Sequence, residues 1–377
     1  MDRIGRVIGA MGGLLAFVLI WPASVAAQSF SSSMGQISVA PIVRGLDSPW
    51  GLAFLPDGAF LVTEQEGRLL YFDGCGGQID VRGVPRVADD GQGGLLDVMV
   101  PRNFAQTREI FLTFSKPQGR GAGTSLAKAR LSSDGARLSG VEVIFELKRG
   151  SGGGRHFGSR VVEGTDGFLY LTIGDRGDRP SAQDLSRENG SVVRVARDGR
   201  IPSSNPFVGR EGAQPGIYSL GHRNPQGAAL DRTGQLWVVE HGARGGDEIN
   251  QVKKGANYGW PVIAYGRHYS GGKIGEGTAK QGLEQPEFYW DPSMAPSGYM
   301  IYGTNSAGNM FADWRGDHFV GSLKFDYIAR LTTGGAMREV EQLKSGATNR
   351  VRDIREAPDG SIWFISAGNG TIYRMSR

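Results

Sequence analysis

The sequence has a single cysteine, Cys75, in 377 residues. That excludes an intrachain disulfide and a cysteine metal cluster. Stability must therefore come from an apolar core, which a chain of this length can build. In an exported chain a lone thiol is expected to be buried or partly shielded. Long apolar runs are also missing. The stretch Gly9 to Ile20 is short for a membrane span, and no later run is long enough. There is no His-x-x-x-His pair, no EF-hand loop and no Gly-x-Gly-x-x-Gly turn opening a helix. Zinc, a standard calcium hand and a dinucleotide fold are thereby left without support. Charge of one sign is not in large excess either. The formal net charge is +4 and the arginines are scattered, so neither nucleic acid nor an anionic membrane is called for.

What is present begins with an export signal over residues 1–27. Arg3 and Arg6 precede the apolar stretch, and "PASVAAQ" ends in small residues suited to cleavage after Ala27. The expected location is periplasmic or secreted, with no stable membrane insertion. Glycine is the compositional outlier, at 60 residues, against a usual share of about 7%. It follows no collagen-like period, and the apolar content is ordinary. Many tight turns between short strands account for it.

The strands repeat a theme: a turn of the Asp-Gly type, then an alternating apolar run. "LPDGAFLVTEQEGRLLYFD" (Leu55–Asp73) is the clearest copy. Glu163–Asp175, Asp231–Gly242, Trp314–Lys324 and Ala357–Ser376 echo it, and Asn103–Lys116 is a looser sixth. Helical periodicity is absent. Six repeated four-stranded units predict an all-β, six-bladed β-propeller with antiparallel blades. Six copies are too many for a two-sheet sandwich of ordinary size. An open edge would aggregate, so the lone strand in Gly35–Leu46 is expected to complete the last blade and close the ring. Residues 28–377 then form one domain, with the functional residues on long loops at one end of the channel.

Several of those loops carry reactive side chains. "SGGGRHFGSR" puts His156 on a glycine-rich loop, where a neutral imidazole can accept a proton. Asp175, at the end of the next strand, can orient it. A surface histidine beside a turn aspartate explains that pair equally simply. "SLGHRNPQG" offers Arg223 and Asn224, a planar fork of donors beside an amide, for a carboxylate or quinone oxygen. A polar turn with a structural arginine is the other reading. Gln92 lies between glycines, open to a ligand or simply a loop residue. Lys324 ends a strand, and Arg350 and Arg352 alternate along another, so both should face one side. They suit a multiply carboxylated ligand or a solvated basic edge. "VEHGARGGDEINQVKKGANYGWP" is rich in oxygen donors and suits a hard cation such as calcium.

In order and spacing, "GHRNPQG", "DEINQVKKGANYGWP", "WRGDHFVGSLK" and "RVRD" make the chain resemble the soluble pyrroloquinoline quinone (PQQ)-dependent sugar dehydrogenases, specifically the aldose sugar dehydrogenase branch. The resemblance spans nearly the whole chain after residue 27. It implies a six-bladed propeller that binds PQQ and calcium and oxidises aldoses at C1 to the lactone. His156 is implied as the general base, Asp175 as its orienting carboxylate and Arg223 as a catalytic quinone contact. Gln92, Asn224, Ser293, Lys324, Arg350 and Arg352 are implied as further quinone contacts. Gln92, Arg155 and Trp290 would border the sugar, with Trp290 also readable as core. The carbonyls of Gly242 and Ala243 would hold the catalytic calcium. Glu248 and the Tyr258 carbonyl would hold a second. Arg155 departs from the acidic residue that glucose-oxidising relatives carry there, and Gly-Ala replaces Gly-Pro at the carbonyl pair, so the sugar is left open. The implied partners are a small aldose and an external electron acceptor, and the expected state is a monomer or homodimer. A calcium-dependent lactonase and a non-catalytic binding propeller are the alternatives. A lactonase has no use for Lys324, Arg350 and Arg352 together, and the retention of His156 with Asp175, Arg223 and Asn224 counts against a binding propeller.

Overall fold

The computed structural model describes residues 28–304 and 310–377. The expected export signal, residues 1–27, lies outside them. Six antiparallel sheets follow one another along the chain, five of them from four consecutive strands and the sixth from strands at both ends of the described chain. The first blade comprises Pro49–Phe54, Phe60–Glu64, Arg68–Phe72 and Gln78–Asp80. The later blades begin with Leu95–Met99, Val161–Glu163, Pro225–Leu230, Pro296–Ile301 and Val351–Glu356. These six first strands are neighbours around a ring, which makes the fold a six-bladed β-propeller. Among the described residues, helix is limited to Phe104–Thr107 and short 3-10 turns.

Local chemistry explains the repeat. Asp57, Asp166, Asp231 and Asp359 each accept a hydrogen bond on Oδ1 from the backbone N–H two residues on, at 2.8–3.1 Å. A glycine with positive φ follows in each turn: Gly58, Gly167, Gly234 and Gly360. An aspartate that folds onto its own backbone and a glycine free of Cβ strain specify the hairpin.

The strands after these turns are buried on both faces. In Phe60–Glu64, Leu61 packs between the first and second blades with Val98 and Phe114. Phe60 and Val62 pack the other way, with Ile365 and Ile372 of the last blade. Each blade thus supplies half of two cores, and burial of that apolar area is the main force joining blade to blade.

The ring closes as the sequence reading expects. Gly35–Val43 pairs antiparallel with Thr371–Ser376, with Val39 opposite Met375. One element was not foreseen: Gln28–Ser32 folds back on Gly35–Val43 as a hairpin, so the closing sheet has five strands. Cys75 also differs from expectation. It is exposed, in a turn where its N–H donates to Asp73 Oδ1 at 2.7 Å, at a blade's outer edge with no wall to shield it. No helix among the described residues is long and apolar enough to cross a membrane.

Candidate active site

At one end of the channel the first strands begin, and the loops before them enclose a cavity of about 520 Å³. Gln92, Asn224, Lys324, Arg350 and Arg352 all line it. A smaller neighbouring pocket is lined by Arg223, Gly242, Ala243, Glu248 and Tyr258. His241 belongs to both linings and forms the shared wall. Stretches far apart in sequence therefore meet in two adjoining spaces. A further cavity of about 380 Å³ opens at the opposite end, lined by Val98, Met300 and Ile354 among others. It holds none of the predicted residues.

His156 adjoins the larger cavity through its backbone. Its N–H donates to Gln92 Oε1 at 2.7 Å. Its φ of 55° lies in the left-handed region, a strained state for histidine that the surroundings must impose. Those surroundings are tight. A Cβ on Gly174 would lie 2.1 Å from the His156 carbonyl oxygen, and one on Gly91 would lie 2.4 Å from the Gly154 oxygen. Arg176 braces the same loop, with its guanidinium 3.3 Å from the Phe157 ring centroid and a hydrogen bond to the Arg155 carbonyl.

Asp175 is fully buried and accepts from His156 Nδ1 at 2.6 Å. The same oxygen takes the Gly177 N–H at 2.7 Å, and the other takes Trp260 Nε1 at 2.8 Å. Burial works to raise the Asp175 carboxyl, but the His156 bond, the Gly177 N–H and nearby Arg223 hold it below the ordinary range. It is therefore a carboxylate. As an acceptor it requires the hydrogen on His156 Nδ1, which leaves the lone pair on Nε2. Burial lowers the His156 pKa, Asp175 works against that, and Arg223 adds to the lowering. The ring is neutral near pH 7 and able to take a proton.

Cations dominate the rest. Arg352 is brought down to about 9 by burial and by the charges of Arg160 and Arg350. Its Nη1 donates to Gln226 Oε1 at 2.9 Å and Ser297 Oγ at 3.1 Å. Arg223 donates to the His241 carbonyl at 3.0 Å, while its Nε is buried without a partner. Among the described residues, Arg223, Lys324, Arg350 and Arg352 form no ion pair with a carboxylate. Uncompensated cations around a cavity are costly unless an anion fills it. Arg350 reaches the cavity by a different route from the expected strand alternation. It precedes Val351–Glu356 in the left-handed region, at φ 53°, and donates to the Leu323 carbonyl at 3.1 Å.

The smaller pocket is acidic. Glu240 accepts from His222 Nδ1 at 2.8 Å and from the Arg223 N–H at 2.6 Å. Glu248 is pushed up to about 8 by burial and by Glu240. Asn250 Oδ1 is buried beside them without a partner. A buried carboxyl, a half-buried one and an orphaned amide oxygen fit a cation, although no group of three His, Cys, Asp or Glu side chains able to hold one occurs among the described residues. Backbone oxygens of Gly242, Ala243 and Tyr258 would have to complete any such site. The Ala243 oxygen already accepts the Arg267 N–H at 2.9 Å and keeps a second lone pair.

Two predicted residues stand apart. Trp290 packs in the core between blades with Trp237 and Val239, and its indole N–H donates to Glu339 at 2.6 Å. That packing places it in the core between blades, the other of its two readings, and outside both pocket linings. The Ser293 hydroxyl is held by the Asp247 carboxylate at 2.8 Å and is absent from the cavity lining, where Ala295 appears instead. Arg155 is exposed beside His156. The sequence reading missed His241, Trp260 and Arg176. Both His241 and Trp260 lie inside a quoted motif, and a tryptophan next to Pro261 was the available signal.

The family model for glucose/sorbosone dehydrogenase matches residues 46–374. The chain is 40% identical over 348 residues to the aldose sugar dehydrogenase YliI of Escherichia coli K12, covering 90% of this chain and 93% of that protein. The apo form of the soluble aldose sugar dehydrogenase from Escherichia coli matches with a TM-score of 0.85 at 37% identity, over 90% of this chain and 99% of that one. The PQQ-bound form of an aldose sugar dehydrogenase from Streptomyces coelicolor matches with a TM-score of 0.74 at 26% identity, over 90% and 98%. The chain therefore belongs to the glucose/sorbosone dehydrogenase family and is an enzyme of its aldose sugar dehydrogenase branch.

Proposed function

We propose that the protein oxidises an aldose at C1 to the lactone, using PQQ and calcium, and passes the electrons to an external acceptor. One observation carries this reading: a neutral His156, oriented by Asp175, lies beside a cavity lined by Lys324, Arg350 and Arg352, with Arg223 on the adjoining pocket, and none of the four has a carboxylate ion-pair partner among the described residues. PQQ carries three carboxylates, and the Streptomyces coelicolor relative was solved with it bound. The orphaned Arg223 Nε and the depressed Arg352 are what an absent polyanion would leave behind.

Lys324, Arg350 and Arg352 would hold the carboxylates of the quinone, and Arg223 and Asn224 its ring oxygens. The Gly242 and Ala243 carbonyls would hold calcium against it. Glu248 and the Tyr258 carbonyl would hold a second ion. When bound, PQQ with its calcium supplies a two-electron acceptor for the hydride leaving C1. His156 Nε2 takes the proton of the anomeric hydroxyl as the C1–O double bond forms. Asp175 stabilises the imidazolium that results, and Trp260 keeps Asp175 in place. A fully buried Asp175 excludes water from the far side of the ring.

A lactonase would need free side-chain carboxylates in the channel. The channel acids Asp97 and Asp353 are instead spent on Arg160 and Arg355, at 2.9–3.1 Å. The test is reconstitution of the purified protein with PQQ and calcium, then aldoses and a reducible dye. Turnover that requires both additions supports the proposal. Absence of PQQ binding in a titration with calcium present overturns it.

A further inference from the structure

The outer rim of the site has a chemistry that the reaction itself does not require. Arg155 follows the glycine-rich loop and lies across Gly177, where an added Cβ would be 3.0 Å from its Cδ. Its Nε has only the Gly153 carbonyl, at 3.3 Å. Arg179 lies on the far side of the same turn. Its guanidinium is 5.3 Å from the centroid of Trp260, the ring that Arg223 approaches at 5.4 Å. Trp260 is the residue bonded to Asp175, so Arg179 is one side chain removed from the dyad. Arg244, at φ 53°, donates to the Tyr269 carbonyl at 2.9 Å, and Tyr269 is 68% exposed. Both Tyr269 and Arg179 bear electrostatically on Arg223.

None of Arg155, Arg179 and Arg244 pairs with a carboxylate among the described residues. The acids nearby are spent elsewhere: Asp175 on His156, Asp178 on Arg187 at 2.7 Å, and Asp291 on Arg267 at 3.3 Å. Asp90 bears on the buried Arg176. His268 adds a donor. Arg179 donates to its Nδ1 at 2.9 Å, which puts the ring hydrogen on Nε2. This edge therefore offers donors and positive charge. A neutral sugar, whose hydroxyls both give and accept, would leave the charge unmatched. A carboxylate or phosphate accepts charge-assisted, two-pronged bonds from such a set.

We infer that the preferred substrate is an aldose carrying an anionic group, carboxylate or phosphate, away from C1, bound by Arg155, Arg179 and Arg244 while C1 faces His156. The inference rests on the dehydrogenase reading.

The test compares kcat/KM of the PQQ- and calcium-loaded enzyme for D-glucuronate, D-glucose 6-phosphate and D-glucose. It adds a calorimetric titration of the loaded enzyme with D-glucarate, which has no oxidisable C1, against neutral D-glucitol. At least one anionic aldose is expected to exceed glucose about tenfold at low salt, and which one does so identifies carboxylate or phosphate. D-Glucarate is expected to bind about tenfold tighter than glucitol, with the advantage lost in R179Q and R155Q variants that still bind PQQ. Equal kcat/KM for all three sugars, or equal binding of glucarate and glucitol, overturns the inference. Failure of every sugar to turn over on quinone-loaded protein would instead strike the dehydrogenase reading, and the glucarate titration would still decide the rim.

Discussion

Asp175 Oδ1 lies 2.6 Å from His156 Nδ1, and the same oxygen also takes the Gly177 N–H. The aspartate is thus anchored to its own turn and fixes the histidine's tautomer. His156→Ala should preserve folding and PQQ binding and lower kcat roughly 100- to 10,000-fold, the usual share of a general base. Unchanged turnover would remove His156 from the role.

The acid limb of the rate profile follows from the same pair. Burial depresses the His156 pKa and Asp175 works to raise it. A base must be unprotonated, so kcat/KM should fall with decreasing pH only below the ordinary imidazole range. It should be flat around pH 7. Asp175→Asn removes the raising influence, so its limb should move to lower pH while the rate drops. A limb that moves upward contradicts the assignment.

Gly174→Ala tests the loop geometry. The new methyl would sit 2.1 Å from the His156 oxygen and 3.0 Å from Asn224 Oδ1, so the loop must shift. A displacement near 1 Å at the reacting group costs about 100-fold in rate. Turnover measured beside quinone affinity should show the first falling much more than the second.

Arg352→Met separates stability from binding. The folded protein holds that cation against burial and two neighbouring arginines. Without PQQ the variant's melting temperature should be no lower than that of the unaltered protein. The rise in melting temperature on adding PQQ should shrink, because a carboxylate has lost its partner. A large loss of stability without PQQ would mean that the Gln226 and Ser297 bonds outweigh the repulsion.

His318 gives a stability prediction far from the site. It is buried against Tyr299, with Nδ1 2.5 Å from the phenol oxygen, and burial brings its pKa down to about 4. The folded state is neutral there, whereas the unfolded chain takes up a proton below about pH 6.5. Stability should therefore be complete above that pH and be lost as pH falls toward 4, by up to about 3 kcal/mol. Urea unfolding at pH 7 and pH 5 checks the slope.

The blades were legible because their signal is local. In four of the six blades an aspartate and a glycine fix the hairpin within four residues, and the alternation that follows needs no distant information. The site was legible only in pieces. His156 and Asp175 are 19 residues apart and joined by the hairpin of Val161–Glu163 and Leu169–Ile173, so their meeting could be read. Arg350 lines the cavity through a left-handed φ that is invisible in "NRVRD", not through strand alternation. Trp290 and Ser293 fall outside the pocket linings, and a short aromatic run and a turn serine fit a wall or a core equally. His241 was missed because its position between two pockets depends on how blades pack, and no spacing encodes that.

Ring closure has a consequence in time. Gly35–Val43 is made before the first blade, and its partner, Thr371–Ser376, after the other strands of the sixth. Until Thr371–Ser376 is made, both Gly35–Val43 and the sixth sheet present bare edges, and the site loops between them lack a rigid frame. Chains that stop before Thr371 therefore keep two sticky edges, so the fold itself distinguishes closed rings from open ones.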